Sequence, residues 1–170
     1  MGFYSEVSSP FGQAYIVEQN EHITHLLFEK EELDSMKAQD PDLAHQETAL
    51  LQLAKRQLTE YFRGKRKAFA LPMHQEGTVF QKKVWEALLS IPYGESRSYS
   101  DIAEAIGHPK AVRAIGQANK KNALPIFIPC HRVIGKNNPQ KVAGYAELFV
   151  KLHVLTKEQK DDIIQSIKNR

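Results

Sequence analysis

The chain holds one cysteine, Cys130, within the string Pro125-Ile126-Phe127-Ile128-Pro129-Cys130-His131-Arg132-Val133. A lone thiol is often just a small buried hydrophobe. It becomes a candidate nucleophile when a base and an orienting group accompany it. An unperturbed thiol, with a pKa of about 8.5, is mostly protonated near neutrality, so a proton acceptor or nearby positive charge is needed to raise the thiolate fraction. His131 adjoins Cys130 and supplies an imidazole. A carboxylate that orients such an imidazole makes it a more effective base. Leu148, Leu152 and Leu155 mark the apolar face of a later helix, and Glu158 falls three residues further on the same side. An acid on an inward face needs a partner; a frayed helix end in water is the alternative.

The charge pattern adds a substrate class. Net charge is only +3, but from Ala105 to Ala146 there is no Asp or Glu, while Lys110, Arg113, Lys120, Lys121, Arg132, Lys136 and Lys141 all fall there. A one-sign stretch around a thiol suits a polyanion such as nucleic acid, with a solvated basic face as the plainer reading. His22 and His25 are the only close histidine pair, with no second pair or cysteines to complete a zinc set, so neither metal nor cofactor is expected.

The elements that must position these residues follow from local pattern. The 170 residues, 42% apolar and 25% charged, suit globular structure, and no apolar run approaches the roughly 20 residues that span a membrane. Met1 to Glu6 carries neither a basic nor an apolar leader region, which predicts no secretory signal. One cysteine allows no internal disulfide, in keeping with a cytoplasmic protein. Ala14 to Val17 and Ile23 to Phe28 read as two antiparallel strands joined by a polar turn. Leu50, Leu53, Ala54, Leu58 and Tyr61 give a helix from about Glu47 to Phe62, closed by Gly64. Gly64 to Gly77 has neither period and reads as a linker, which divides the chain into residues 1–76 and 77–170.

Thr78-Val79-Phe80-Gln81 has the form of a capping box that starts a helix with Phe80, Val84, Ala87, Leu88 and Ile91 on its apolar face. Ser98 caps a further helix that Gly107 closes, and Pro109 precedes another from Ala111 to about Lys120. Helix, glycine turn and helix in this order resemble a helix-turn-helix. In the last of these helices Val112 and Ile115 are expected to face inward, with Arg113, Gln117 and Lys120 along another face. Ala111, Ala114, Gly116 and Ala118 keep the helix slim, which serves close approach to a nucleic-acid groove or tight helix packing.

Pro129-Cys130-His131-Arg132-Val133, with Asn122, Pro125 and Gly144-Tyr145-Ala146, resembles the active-site signature of the O6-alkylguanine-DNA alkyltransferases (methylated-DNA–protein-cysteine methyltransferases). Val84-Trp85, Ile91-Pro92-Tyr93-Gly94, Ser98-Tyr99, Ile102-Ala103 and Val112-Arg113-Ala114 extend the likeness through that family's DNA-binding domain, and Ser9-Pro10-Phe11-Gly12 and Tyr61-Phe62 carry it more loosely into the first half. The resemblance implies a small α/β, ribonuclease H-like N-terminal domain and a mostly helical, winged-helix-like C-terminal domain with a helix-turn-helix. It implies one-turnover DNA repair in which Cys130 takes the alkyl group from O6-alkylguanine in double-stranded DNA, with O4-alkylthymine and bulkier O6-alkylguanines as unranked further substrates.

By the same resemblance His131 takes the thiol proton through a water, Glu158 holds His131, and Asn122 braces the turn. Tyr99 donates to the extruded base, and Arg113 enters the duplex in its place. Ala111, Ala114, Gln117, Lys120 and Lys121 belong to the DNA-binding surface, and Val133, Tyr145 and Ala146 line the base pocket. The protein is then a monomer in the absence of DNA. One departure stands out: after Ala146 the family usually continues Gly-Gly-Leu, whereas this chain has Glu147-Leu148-Phe149. Three rivals compete: an alkyltransferase-like lesion-binding protein without transfer, a helix-turn-helix regulator, and a Cys-His hydrolase. Cys130-His131 argues against the first two, and the basic helix against the third.

Overall fold

Alternating apolar residues between Tyr4 and Leu27 build strands rather than helices. In the computed structural model, which describes residues 1–9 and 12–134, these are β1 (Gly2–Ser9), β2 (Gly12–Gln19) and β3 (His22–Leu27). β2 pairs antiparallel with both β1 and β3. Asn20 and Glu21 make the turn between β2 and β3 with φ of 51° and 63°, the left-handed pair that matches strand twist in a two-residue loop. Where the pattern predicts two strands there are four, because β4 (Ala44–His45) pairs parallel to β1 and gives the order β3-β2-β1-β4.

One sheet face buries Tyr4, Tyr15, Val17 and Leu27 against Leu33 and Leu43. Leu33 belongs to α1 (Lys30–Gln39), and it is the only buried residue of that helix. α2 (Ala49–Phe62) packs on the sheet and is capped by Thr48, whose hydroxyl accepts from Leu51 N at 3.0 Å. Its buried face is Leu51, Ala54, Gln57, Leu58, Tyr61 and Phe62; Leu50 and Leu53, expected there, are only half-buried. Gln57 is buried with a backbone partner: its amide donates to Ala70 O (3.2 Å) and accepts from Ala70 N (2.9 Å). Those bonds, with Ile23 N to Pro72 O (2.8 Å) and His74 N to Ile23 O (3.0 Å), tie the expected linker along the sheet edge. The chain divides into two compact units, Met1–Glu76 and Gly77–Arg170.

The second unit begins with α3 (Val79–Leu89), started by a complete capping box between Thr78 and Gln81. Next come β5 (Arg97–Ser98), α4 (Tyr99–Ala105) and α5 (Val112–Lys120). Ser98 and Asp101 form a second capping box, and Gly107 (φ 78°) allows the chain to leave α4. Trp85 on α3 is buried and donates from Nε1 to Ala118 O at 2.9 Å, which anchors α5. Val112, expected inward with Ile115, is 38% exposed, because only Ile115, Ala118 and Asn119 of α5 reach the core.

Gly77 makes room for that anchor. A Cβ there would sit 2.6 Å from Trp85 Cη2 and 2.8 Å from Gln81 Oε1. Gly77→Ala is therefore expected to destabilise this unit by about 1–3 kcal/mol, the usual range for overpacking. Thermal unfolding reads this directly, and an unchanged Tm would show that Trp85 can shift at no cost.

Candidate active site

The chain reaches Cys130 through an apolar loop that the core holds on one side. Leu124, Ile126, Phe127 and Ile128 are all buried. Ile126 adopts φ 73°, an uncommon conformation for a β-branched residue and one that persists only where surrounding contacts enforce it. Those contacts are explicit. Asn122 Nδ2 donates to Ile128 O (2.9 Å), Asn122 Oδ1 accepts from Leu124 N (3.0 Å), and Ile128 N donates to Leu124 O (2.8 Å).

Pro129 then starts one turn of 3-10 helix, Cys130–Arg132, closed by Arg132 N to Pro129 O at 3.0 Å. The turn leaves Cys130 partly exposed and sends His131 inward, where its side chain is 1% exposed. Arg132 points to the segment that follows α3: Nη1 donates to Ile91 O at 2.7 Å, and the guanidinium lies 5.7 Å from the centre of the Tyr93 ring. Val133 follows in β6 (Val133–Ile134), parallel to β5, with Arg97 opposite Val133 and Ser98 opposite Ile134. That pairing brings the start of α4, and so Tyr99, alongside the strand that leaves the thiol.

Helix α5 is tied to the same turn through one side chain. Its exposed side carries Arg113, Gln117 and Lys120, followed by exposed Lys121; Ala111 and Ala114 are half-buried at its start. Gly116 keeps the middle low, since a Cβ there would lie 3.9 Å from Tyr99 Cε1. On the inner side Asn119 Nδ2 donates to Cys130 O at 3.2 Å. The structure thus brings Cys130, His131, Asn122 and Val133 into one turn-and-strand unit, and sets Tyr99 against α5. Glu158, Tyr145, Ala146 and the Glu147-Leu148-Phe149 substitution lie outside the described residues.

Asn119, Trp85 and Arg132 carry contacts to which sequence reasoning assigns no role. For Asn119 a signal existed: it is a polar residue at the inward spacing of Ile115 and Ala118 on α5. Among the described residues no group of three His, Cys, Asp or Glu is disposed to hold a metal ion, and no helix is long and apolar enough to cross a membrane. Burial holds the imidazole of His25, one of the two clustered histidines, below its ordinary pKa.

Two family models match the chain: the ribonuclease-like domain of 6-O-methylguanine DNA methyltransferase over residues 2–75, and the DNA binding domain of the same family over residues 79–160. A constitutive methylated-DNA–protein-cysteine methyltransferase of Bacillus subtilis is 55% identical over 86% of this chain and 87% of its own length. A methylated-DNA–protein-cysteine methyltransferase of Methanosarcina acetivorans is 43% identical over 85% and 89%. Among solved structures, OGT of Mycobacterium tuberculosis in complex with DNA is 34% identical, superposes with a TM-score of 0.75, and covers 89% of this chain and 92% of its own.

Proposed function

The chain belongs to the 6-O-methylguanine DNA methyltransferase family, and on that premise we propose that Cys130 is the alkyl-accepting residue of a direct-reversal repair reaction on DNA. The protein transfers an alkyl group from O6 of guanine in DNA to a cysteine of its own, and Cys130 is the only cysteine available. The observation that carries this reading is its position: partly exposed, at the head of a braced turn, next in the chain to a buried histidine.

In the proposed reaction the Cys130 thiol gives its proton, through a water, to His131. The thiolate sulfur attacks the methyl carbon of O6-methylguanine, the S–C bond forms, and the C–O6 bond breaks. Its electron pair passes to the guanine, which takes up a ring proton from water as His131 returns the thiol proton to water; Tyr99, the first residue of α4, is read as the hydroxyl that donates to the base as charge develops. Glu158 is read as the partner that holds His131. The product is a thioether without an easy leaving group, so each chain acts once.

The methyl carbon is out of reach inside a stacked duplex, so the nucleotide must be turned out at a cost of a few kcal/mol. The segment α4, Gly107 and α5 is read as a helix-turn-helix with α5 as the element laid against DNA, and Arg113 as the side chain that fills the vacated space. Lys120 and Lys121 would contact phosphates, which makes affinity fall with salt. Thiol, turn and α5 sit on one chain, so the chemistry requires no second copy.

The deciding experiment incubates the protein with a duplex containing O6-methylguanine and weighs the tryptic peptide that holds Cys130. A stoichiometric gain of one methylene mass is expected. Tight binding with an unmodified peptide would return the protein to a lesion-binding role. Arg113→Ala is expected to slow repair of duplex by about tenfold or more, since the unstacking cost is no longer offset, while reaction with a free O6-alkylguanine base is nearly unchanged. Equal losses on both substrates would remove Arg113 from base extrusion.

A further inference from the structure

The carbonyl of Cys130 accepts two hydrogen bonds. One comes from Val133 N and closes the 3-10 turn. The other comes from Asn119 Nδ2 at 3.2 Å, from a helix eleven residues earlier in the chain. The turn does not depend on the second bond to satisfy that oxygen. Asn119 itself is 7% exposed, and its Oδ1 is buried with no hydrogen-bond partner among the described residues. A buried acceptor left without a donor is a net liability, and native structures carry few of them without a reason. An apolar side chain of similar shape would suit the packing better, so fold stability does not account for an amide at this position.

The neighbours of Asn119 indicate what the amide does. Ala118 O is held by Trp85 Nε1 at 2.9 Å, which fixes the end of α5 to α3. Arg113, Gln117 and Lys120 lie on the exposed side of the same helix. Asn119 is therefore the side chain through which the helix that meets DNA holds the backbone of the residue that reacts. We propose that Asn119 is a positioning residue for alkyl transfer: it sets the orientation of Cys130 from α5, at the expense of one unsatisfied acceptor. The proposal rests on the reading that Cys130 accepts the alkyl group.

Single-turnover transfer from an O6-methylguanine duplex, followed over a range of duplex concentrations, separates the limiting rate from the half-saturating concentration. For Asn119→Leu the limiting rate is expected to fall about tenfold, the equivalent of one hydrogen bond of ordinary strength. The half-saturating concentration should be unchanged, because the basic face of α5 is untouched. Tm should not fall, because the unsatisfied acceptor is gone. Asn119→Asp keeps the shape but sets a carboxylate oxygen against the Cys130 carbonyl, and should lose rate as well. A wild-type limiting rate in either variant, or a loss of rate in Asn119→Leu that only parallels a loss of Tm, overturns the assignment. If the wild-type protein gains no methyl group at Cys130, the reading of the reaction fails; if it does and Asn119→Leu matches it, this inference alone fails.

Discussion

Cys130→Ser is expected to abolish transfer: no methylene mass on the peptide at any time, with binding to the damaged duplex retained. Serine differs from cysteine here by one atom and keeps the backbone hydrogen bonds that close the 3-10 turn and the bond from Asn119. What it loses is chemistry. A thiol ionises near pH 8.5, and even the few per cent present as thiolate at neutrality is strongly nucleophilic. A hydroxyl is scarcely ionised at neutral pH, and no other cysteine is present to substitute. Peptide mass gives the answer directly, and a mobility shift with the same duplex checks that binding survives. Methylation of the variant at any other residue would place the acceptor elsewhere.

Asn122→Ala is expected to damage both stability and repair. Asn122 grips the loop at two points, donating to Ile128 O at 2.9 Å and accepting from Leu124 N at 3.0 Å. Alanine leaves the Leu124 amide without its partner, at a cost of about 1–3 kcal/mol, while Ile128 O keeps the bond from Cys130 N at 2.8 Å. The loop it releases contains Ile126 at φ 73°, a conformation that relaxes once its constraints are loosened. Cys130 lies two residues beyond Ile128, so relaxation moves the thiol. A fall in Tm of about 5 °C or more is expected for a unit of this size. Transfer should drop more than about 100-fold, because loss of a reactive geometry compounds the loss of fold. Asn122→Asp, which can still accept from Leu124 N, should lie between the two. Wild-type transfer rates in Asn122→Ala, measured well below its Tm, would show that the brace serves folding alone.

Local chemistry made much of the second unit legible. The Thr78–Gln81 box, the Ser98 cap and the Gly107 exit each depend on residues within one turn of one another, and all three stand in the structure. The first unit was harder to read for an equally physical reason. β1 is an inner strand, so it buries polar Ser5 as well as Tyr4, and the hydroxyl of Ser5 donates to Glu47, 42 residues away. That partner cannot be inferred from alternation. α1 buries one residue, Leu33, so its apolar stripe is too thin to register as a period.

The candidate site divides along the same line. Cys130 and His131 stand side by side in the sequence and could be singled out from it, whereas Asn122 entered only through the family resemblance. Asn119, Trp85 and Arg132 act over separations of 11, 33 and 41 residues, and only the fold brings their partners within reach. Val112 shows the limit of periodicity itself: a valine at the inward spacing is exposed because α5 meets the core only from Ile115 onward.

The pairing of Arg97-Ser98 with Val133-Ile134 is two residues long, and a single turn of 3-10 helix separates it from the thiol. Strand and nucleophile are therefore spaced by a residue count. One residue added between Cys130 and Val133 would swing the thiol by about 120° around the turn, or else flip the following strand residues to the opposite face. Side-chain changes in this string can be absorbed by local repacking, whereas a change of length cannot. What the Cys-His-Arg-Val string fixes most tightly is thus a measured interval, and any attempt to graft this site onto another scaffold must reproduce that interval before it reproduces the side chains.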